Sequence, residues 1–262
     1  GELIAMFPTA GGVYEFSKQS YGQFISFLVG WMTWIMSNIA TTVLIIAALE
    51  YLLPPEANLA VRIGIAIGAI LLLNFVAYLG VDISGVVLIV FAAETLIVFL
   101  AIIIPGLFSV NIGNFTPFLT KPIPMLFMSL FFLLESLMGW ESASFLAEET
   151  ENASKVIPKA LLITTFGAGL LGLGVAFVSL GVIPWQSLAQ SSAPINDLTV
   201  RILGPLGSRV ISFAIVFAII GSVAGSIIST PRLLLAMARD KVFISQLASI
   251  HHKRRTPHNA IM

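Results

Sequence analysis

MLFMSLFFLLESLMGWESASFLAEET, residues 125–150, has the apolar density of a membrane span, yet two of its glutamates, Glu135 and Glu141, lie inside the apolar part, with a Gly139-Trp140 step between them. A charged side chain at mid-bilayer costs about 2.5–3.5 kcal/mol on insertion scales. Two carboxylates so close together in a span are therefore expected to serve a purpose. A glycine beside polar groups at that depth also marks a helix expected to break there. Unwound backbone is tolerated inside a membrane only where it lines a cavity or is buried in protein.

The rest of the chain agrees with that reading. Hydrophobic residues make up 58% of it and charged residues 10%, against about 25% charged in an average soluble domain. The 13 basic and 13 acidic residues cancel, so no nucleic-acid partner is expected. Without cysteine there is no disulfide, thiolate metal site or cysteine nucleophile. His251, His252 and His258 all lie in the polar C-terminal segment, where a solvated basic tail is expected rather than a zinc site. No cofactor and no metal are expected.

Crossing ~30 Å of hydrocarbon takes about 20 apolar residues. Six runs meet this: Phe24–Leu53, Leu59–Leu79, Gly85–Phe108, Met125–Leu146, Ala160–Ile183 and Val210–Met237. A further run, Gly1–Phe7, is short and opens inside an apolar pattern, without the charged leader of a signal peptide. The expected fold is all-α, a polytopic transmembrane helical bundle of about seven spans, and residues 1–262 are expected to form a single transmembrane domain that is a piece of a longer protein. Pro54-Pro55, Pro122 with Pro124, and Pro184 separate the helices because proline lacks an amide donor. The longer stretch Pro184–Ser208 leaves room for a short surface helix. Alternating the loops puts nine of the 13 basic residues on one side (Lys18, Lys155, Lys159, Arg232, Arg239, Lys241, Lys253, Arg254 and Arg255) and Arg62, Lys121, Arg201 and Arg209 on the other. The first side is then cytoplasmic, with loops Pro8–Gln23, Gly80–Ser84, Glu148–Lys159 and Arg239 onward.

Trp34, Asn38 and Thr41 share one helix face by their spacing. They form either an interhelical hydrogen-bonding patch or the polar wall of a substrate cavity. Ser222 and Ser226, with Gly221 and Gly225 beside them, permit either close helix packing or a ligand. Gly167, Gly169, Gly172 and Gly174 are expected to pack one helix against another. Glu94, well inside its span beside Thr95, is either a carboxyl held neutral by its apolar setting or one that gains and loses a proton. Glu135 and Glu141, at about 100° per residue, would lie roughly 120° apart on an unbroken helix. A break near Met138-Gly139 removes that restriction and frees the carbonyls of Leu134, Glu135 and Leu137 to accept from an ammonium. Glu148, Glu149 and Glu151 are expected to form a solvated, ion-paired face with Lys155 and Lys159.

At these residues the chain resembles an amino acid permease of the APC (amino acid–polyamine–organocation) superfamily, built on the LeuT fold. The motifs run in order: Gly1-Glu2-Leu3 with Phe7-Pro8-Thr9-Ala10-Gly11-Gly12-Val13-Tyr14; Asn38-Ile39-Ala40; Met138-Gly139-Trp140-Glu141-Ser142-Ala143 with Glu148-Glu149-Thr150 and Ile157-Pro158-Lys159-Ala160; and Ser229 to Met237 with Ala238-Arg239-Asp240, Thr256-Pro257 and Ala260. The resemblance covers almost the whole chain. It implies twelve spans with two inverted five-span repeats, of which this chain runs from within the second to the loop after the eighth.

It also implies roles. Asn38 would face substrate, with Thr41 one turn on, and Ser222 and Ser226 would line the cavity. Glu135 stands where relatives often place an aromatic gate, so a carboxylate there departs from the pattern and suits a cationic substrate or a proton. Glu141 would sense protons or couple gates. Glu94, or its neighbour Thr95, lies near the position where a proton-coupled relative places a lysine. The expected function is secondary active transport of amino acids or related amines by alternating access, coupled to protons. The alternatives are exchange without proton coupling, or a non-transporting scaffold or sensor that kept the fold. The expected partners are a small-molecule substrate, protons and the lipid bilayer, and no enzymatic activity is expected.

Overall fold

The computed structural model describes residues 2–54, 56–118, 122–135, 139–191, 193–252, 254 and 256–261; for 81, 82, 132 and 135 it describes the backbone alone. Along the chain run α1 (Glu2–Met6), α2 (Val13–Tyr21), α3 (Gln23–Leu52), α4 (Leu59–Leu79), α5 (Val81–Leu107), α6 (Ile123–Glu135), α7 (Ser142–Phe145), α8 (Ala153–Val182), α9 (Trp185–Leu188), α10 (Pro194–Arg239) and α11 (His258–Ile261), with no strand among the described residues.

Local chemistry explains most of the boundaries. Gly22, at φ +81, separates α2 from α3. Asn58 caps α4 by accepting from the Ala60 amide at 2.8 Å, and Gly80, at φ +126, ends it. In α10 the residue before Pro205 is Gly204, which takes φ +73 and ψ 177 and kinks the helix. A residue preceding proline is pushed out of the helical region, and glycine accepts the alternative without strain. Beside the kink, Thr199 and Ser208 share a hydrogen bond at 2.9 Å and Ser208 donates to the Asn196 Oδ1 at 2.8 Å.

Five helices are long and apolar enough to cross a membrane: α3, α4, α5 from Ile83, α8 and α10. The other two expected runs, Gly1–Phe7 and Met125–Leu146, each include residues outside that description, 1 in the former and 136–138 in the latter. α1 has 5 residues. α6 has 13 described residues. Only 6 to 28% of the most apolar window of each long helix is buried, and Leu71, Leu173 and Phe166 stand 63, 71 and 80% exposed. Apolar faces of this extent need a hydrocarbon environment. The chain is a multi-pass integral membrane protein.

The helices form two compact units, Gly1–Ala92 with Gly139–Ile163 and Ala218–Met262, and Ala93–Met138 with Thr164–Phe217. In the first, Ile45 and Leu49 of α3, Leu73 and Ala77 of α4, and Val223, Ala224 and Ile228 of α10 make one core. Tyr14, Phe145, Leu233 and Met237 make another. A Cβ on Gly221 would stand 2.6 Å from that of Phe91, so the glycine admits α5 against α10. In the second unit Val98, Ile102, Val178, Ile183, Leu198 and Ile211 pack together. Gly174 meets Ile103 there, whereas a Cβ added at Gly167, Gly169 or Gly172 would have nothing within 4 Å among the described residues. Among the described residues, Gly174 is the one of those four that meets a neighbouring helix.

Candidate substrate cleft and broken span

The span around Glu135 and Glu141 is interrupted. α6 is described as far as Glu135, and a turn occupies Gly139–Glu141 before α7. Gly139 has φ +103, which an L side chain rarely adopts. The Gly139 amide donates to the Glu141 Oε2 at 2.8 Å, and the Ser142 hydroxyl and amide both donate to the Gly139 carbonyl, at 2.6 and 3.0 Å. The Ser144 hydroxyl and amide donate to the Glu141 carbonyl. Glu141 therefore stabilises the turn with both its carboxylate and its backbone. Leu134 is exposed near the end of α6. Leu137, Met138 and the side chain of Glu135 lie outside what the structure describes.

Four of the residues expected to bind substrate converge within the first unit. Trp34, Asn38 and Thr41 of α3 and Ser226 of α10 line one cleft of about 180 Å³, with Asn74 of α4 and Thr230 of α10. Ala260 and Ile261 of α11 bound it. Among the described residues no charged side chain lines the cleft. The Asn38 amide group donates to the Trp34 carbonyl at 2.7 Å, and that of Asn74 donates to Ile70 at 2.9 Å. Each asparagine thus anchors its NH₂ on its own helix and keeps its carbonyl oxygen as an acceptor. The cleft can hold a small neutral solute by hydrogen bonds, with acceptors suited to an ammonium.

Ser222 is outside the cleft. It is exposed, and its hydroxyl reaches the Ala218 carbonyl at 3.4 Å. Asn74 and Thr230 are the additions that sequence reasoning overlooked. Asn74 is an amide inside a 21-residue apolar helix, the same signal that marked Asn38. Glu94 and Thr95 belong to α5 in the second unit. Both carboxylate oxygens of Glu94 are buried, with no hydrogen-bond partner among the described residues.

The loops assigned to one side of the membrane meet at one end of the first unit. The Tyr14 hydroxyl donates to the Asp240 Oδ2 at 2.7 Å and the Lys18 ammonium to the same oxygen at 2.5 Å. The Arg232 guanidinium grips Glu149 at 3.0 and 3.1 Å and also donates to the Ile228 carbonyl. Arg239 pairs with Glu148 at 2.8 Å, and Glu148 also accepts from the Ala10 amide. The expectation that Glu148 and Glu149 pair with Lys155 and Lys159 is corrected: their cations come from α10. Residues 147–149 form a 3-10 turn that projects them off the face of α8.

Gly11 and Gly12 allow this closure. At Gly12, with φ +44 and ψ −111, a Cβ would stand 1.8 Å from the Ser144 hydroxyl oxygen. Gly12→Ala is expected to cost about 1–3 kcal/mol through overpacking and backbone strain, read as a lower thermal midpoint of the purified protein. An unchanged midpoint would contradict the close approach.

Burial raises the Tyr14 hydroxyl above its ordinary value, with Asp240 adding to the effect. The hydrogen bond to Asp240 raises Lys18 against some desolvation. Burial alone would raise Asp240, but Lys18 and Tyr14 overcome it and hold its carboxyl below the ordinary value. A depressed carboxyl contributes stability above its unfolded value and loses it as pH falls through the folded one. Raised Lys18 and Tyr14 contribute below their unfolded values and lose it as pH rises through the folded ones. The network is therefore intact across neutral pH and breaks only in acid below the ordinary carboxylate range or in strong alkali.

The chain carries long apolar helices, a neutral polar cleft within the first unit and a turn at Gly139. The family model described as amino acid permease matches residues 1–262, and the chain belongs to that family. It is 22% identical over 282 residues to a branched-chain amino acid permease of Bacillus subtilis, covering 99% of this chain and 60% of that protein. It is 28% identical over 270 residues to a serine/threonine exchanger of the same organism, covering 99% and 61%. A b(0,+)-type amino acid transporter of Oryctolagus cuniculus is 25% identical over 276 residues, covering 100% and 56%. The chain thus spans about six tenths of the length of these relatives.

Proposed function

We propose that the protein is a secondary transporter of small neutral amino acids, working by alternating access, and not an enzyme. The observation that carries this reading is the uncharged cleft built by Asn38, Thr41, Asn74, Ser226 and Thr230. Its volume of about 180 Å³ leaves room for a small solute. A cleft without a fixed charge disfavours a cationic side chain, because nothing there offsets its desolvation. No carboxylate, imidazole or amine among the described lining residues can act as base to the hydroxyls, so hydrolytic chemistry has no support. The relatives' names support amino acids as the solute class.

Proton coupling is part of the proposal and rests on Glu94. Exchange without coupling is the second reading, favoured by the similarity to a serine/threonine exchanger.

The test is uptake of labelled serine, leucine and lysine into proteoliposomes carrying the full chain. Serine and leucine should enter and lysine should not. Asn38→Leu and Asn74→Leu should each lower uptake roughly ten- to a hundredfold, since a hydrogen bond to a charged group contributes about 1.5–3 kcal/mol. Uptake at the unsubstituted rate in both variants would remove the cleft as the substrate site.

A further inference from the structure

A second and larger cavity, about 680 Å³, lies within the first unit, next to the ion-paired end. Its polar wall carries Arg232, Arg239 and Arg254 with Glu148 and Glu149. Two of these cations are neutralised in place, Arg232 by Glu149 and Arg239 by Glu148. Arg254 has no carboxylate within ion-pairing distance among the described residues. Its Nη1 makes one long bond, 3.4 Å, to the Tyr78 carbonyl, and its guanidinium carbon lies 4.5 Å from the Tyr78 ring centroid. The same ring meets His251 edge-on at 5.8 Å. Arg254 is therefore held in place by an aromatic face, while most of its five donors find no acceptor among the described residues.

The position of this cation matters. Tyr78 and Leu79 are the last residues of α4, a 21-residue apolar helix, so the cavity sits where a span leaves the hydrocarbon. Leu79, Ile83, Leu235 and Ile250 give it an aliphatic wall. A surplus guanidinium beside an aliphatic surface at the headgroup level matches a ligand with a phosphate at one end and acyl carbon at the other. The sequence around Arg254, His251-His252-Lys253-Arg254-Arg255, is the most basic run in the chain and adds attraction toward an anionic leaflet.

We propose that this cavity is a binding site for the phosphate headgroup of an anionic membrane lipid, with Arg254 as the anion-contacting residue. The lipid's phosphodiester accepts from the guanidinium, and its glycerol and upper acyl carbons lie against Leu79, Ile83 and Leu235. This inference rests on the membrane location of the chain and is independent of what the neutral cleft transports.

The full chain, purified in neutral detergent, is titrated with phosphatidylglycerol, phosphatidylcholine or inorganic phosphate, and bound lipid is counted by native mass spectrometry. Phosphatidylglycerol should bind more tightly than phosphatidylcholine. Arg254→Gln should weaken phosphatidylglycerol about fivefold, from ~1 kcal/mol for one basic residue at the surface. Arg254→Lys should keep part of the affinity. Ile83→Trp, which fills the aliphatic side without touching the cation, should also weaken it. Equal phosphatidylglycerol binding by Arg254→Gln and the unsubstituted protein overturns the proposal, as does the absence of retained lipid. Displacement of the lipid by millimolar inorganic phosphate would make this a phosphate-ion site and overturn it too. Serine uptake measured in parallel separates the two readings, because lost lipid retention with uptake intact leaves the transport proposal standing.

Discussion

Glu149→Gln should destabilise the protein by about 3–5 kcal/mol, the usual cost of removing one partner of a buried ion pair. The Arg232 side chain is 2% exposed and Glu149 20%. Glutamine keeps one acceptor oxygen but no charge, so beside that oxygen and the Ile228 carbonyl the guanidinium stays buried as an uncompensated cation. The partial exposure of Glu149 places the expected value toward the lower end of the range. The more exposed pair, Arg239 with Glu148 at 39 and 40%, provides the contrast: Arg239→Gln should cost at most about 1 kcal/mol. The double variant Arg232→Met/Glu149→Leu should recover much of the loss, since apolar replacement of a buried pair is often neutral. Thermal midpoints of the purified variants check all three. A Glu149→Gln midpoint matching that of Arg239→Gln would show that the pair is not buried in the membrane-embedded protein.

The second large effect concerns Glu94. A carboxyl inside a span, with both oxygens buried and no hydrogen-bond partner among the described residues, is a functional-site candidate by default, because membrane carboxyls are otherwise rare and paired. Glu94→Gln preserves shape and polarity but cannot exchange a proton. In proteoliposomes with an imposed pH gradient, the variant should lose gradient-driven accumulation and show a flat pH profile of uptake, while exchange of internal for external substrate continues. Glu141→Gln is expected to act differently, because the Glu141 carboxylate holds the Gly139 amide. An amide side chain retains an acceptor oxygen there, so that turn should survive. An unaltered pH profile in Glu94→Gln would end the proton-coupling reading. The Tyr14–Lys18–Asp240 network is intact across neutral pH by the sign of its shifts, so a neutral-range pH effect on uptake would not originate there.

Much of the fold was legible because the relevant forces are local. Apolar run length marked α3, α4, α5, α8 and α10. Pro184 set off the stretch after α8, and Gly139 placed a turn in the stretch from 125 to 150. Asn38 and Thr41 stood out as polar groups in hydrocarbon, and the cleft includes both. Asn74 carries the same signal, but it stands alone in its helix and is masked by stretches of denser polarity. Ser222 pairs with Ser226 by spacing alone, although it is exposed and lines no part of the cleft.

By itself, the sequence determined that this protein lives in a membrane, roughly where its helices run, and that one span breaks at Gly139. Hydrophobicity, proline geometry and the freedom of glycine act within a turn or two of the chain. The choice of ionic partners was decided only by the tertiary structure. Glu149 is matched with Arg232, 83 residues away, and Tyr14 with Asp240, 226 away, whereas Lys155 and Lys159 were nearer along the chain. A long-range ion pair depends on which helix ends packing brings together, and Gly11 and Gly12 permit that approach by leaving space where any side chain would collide.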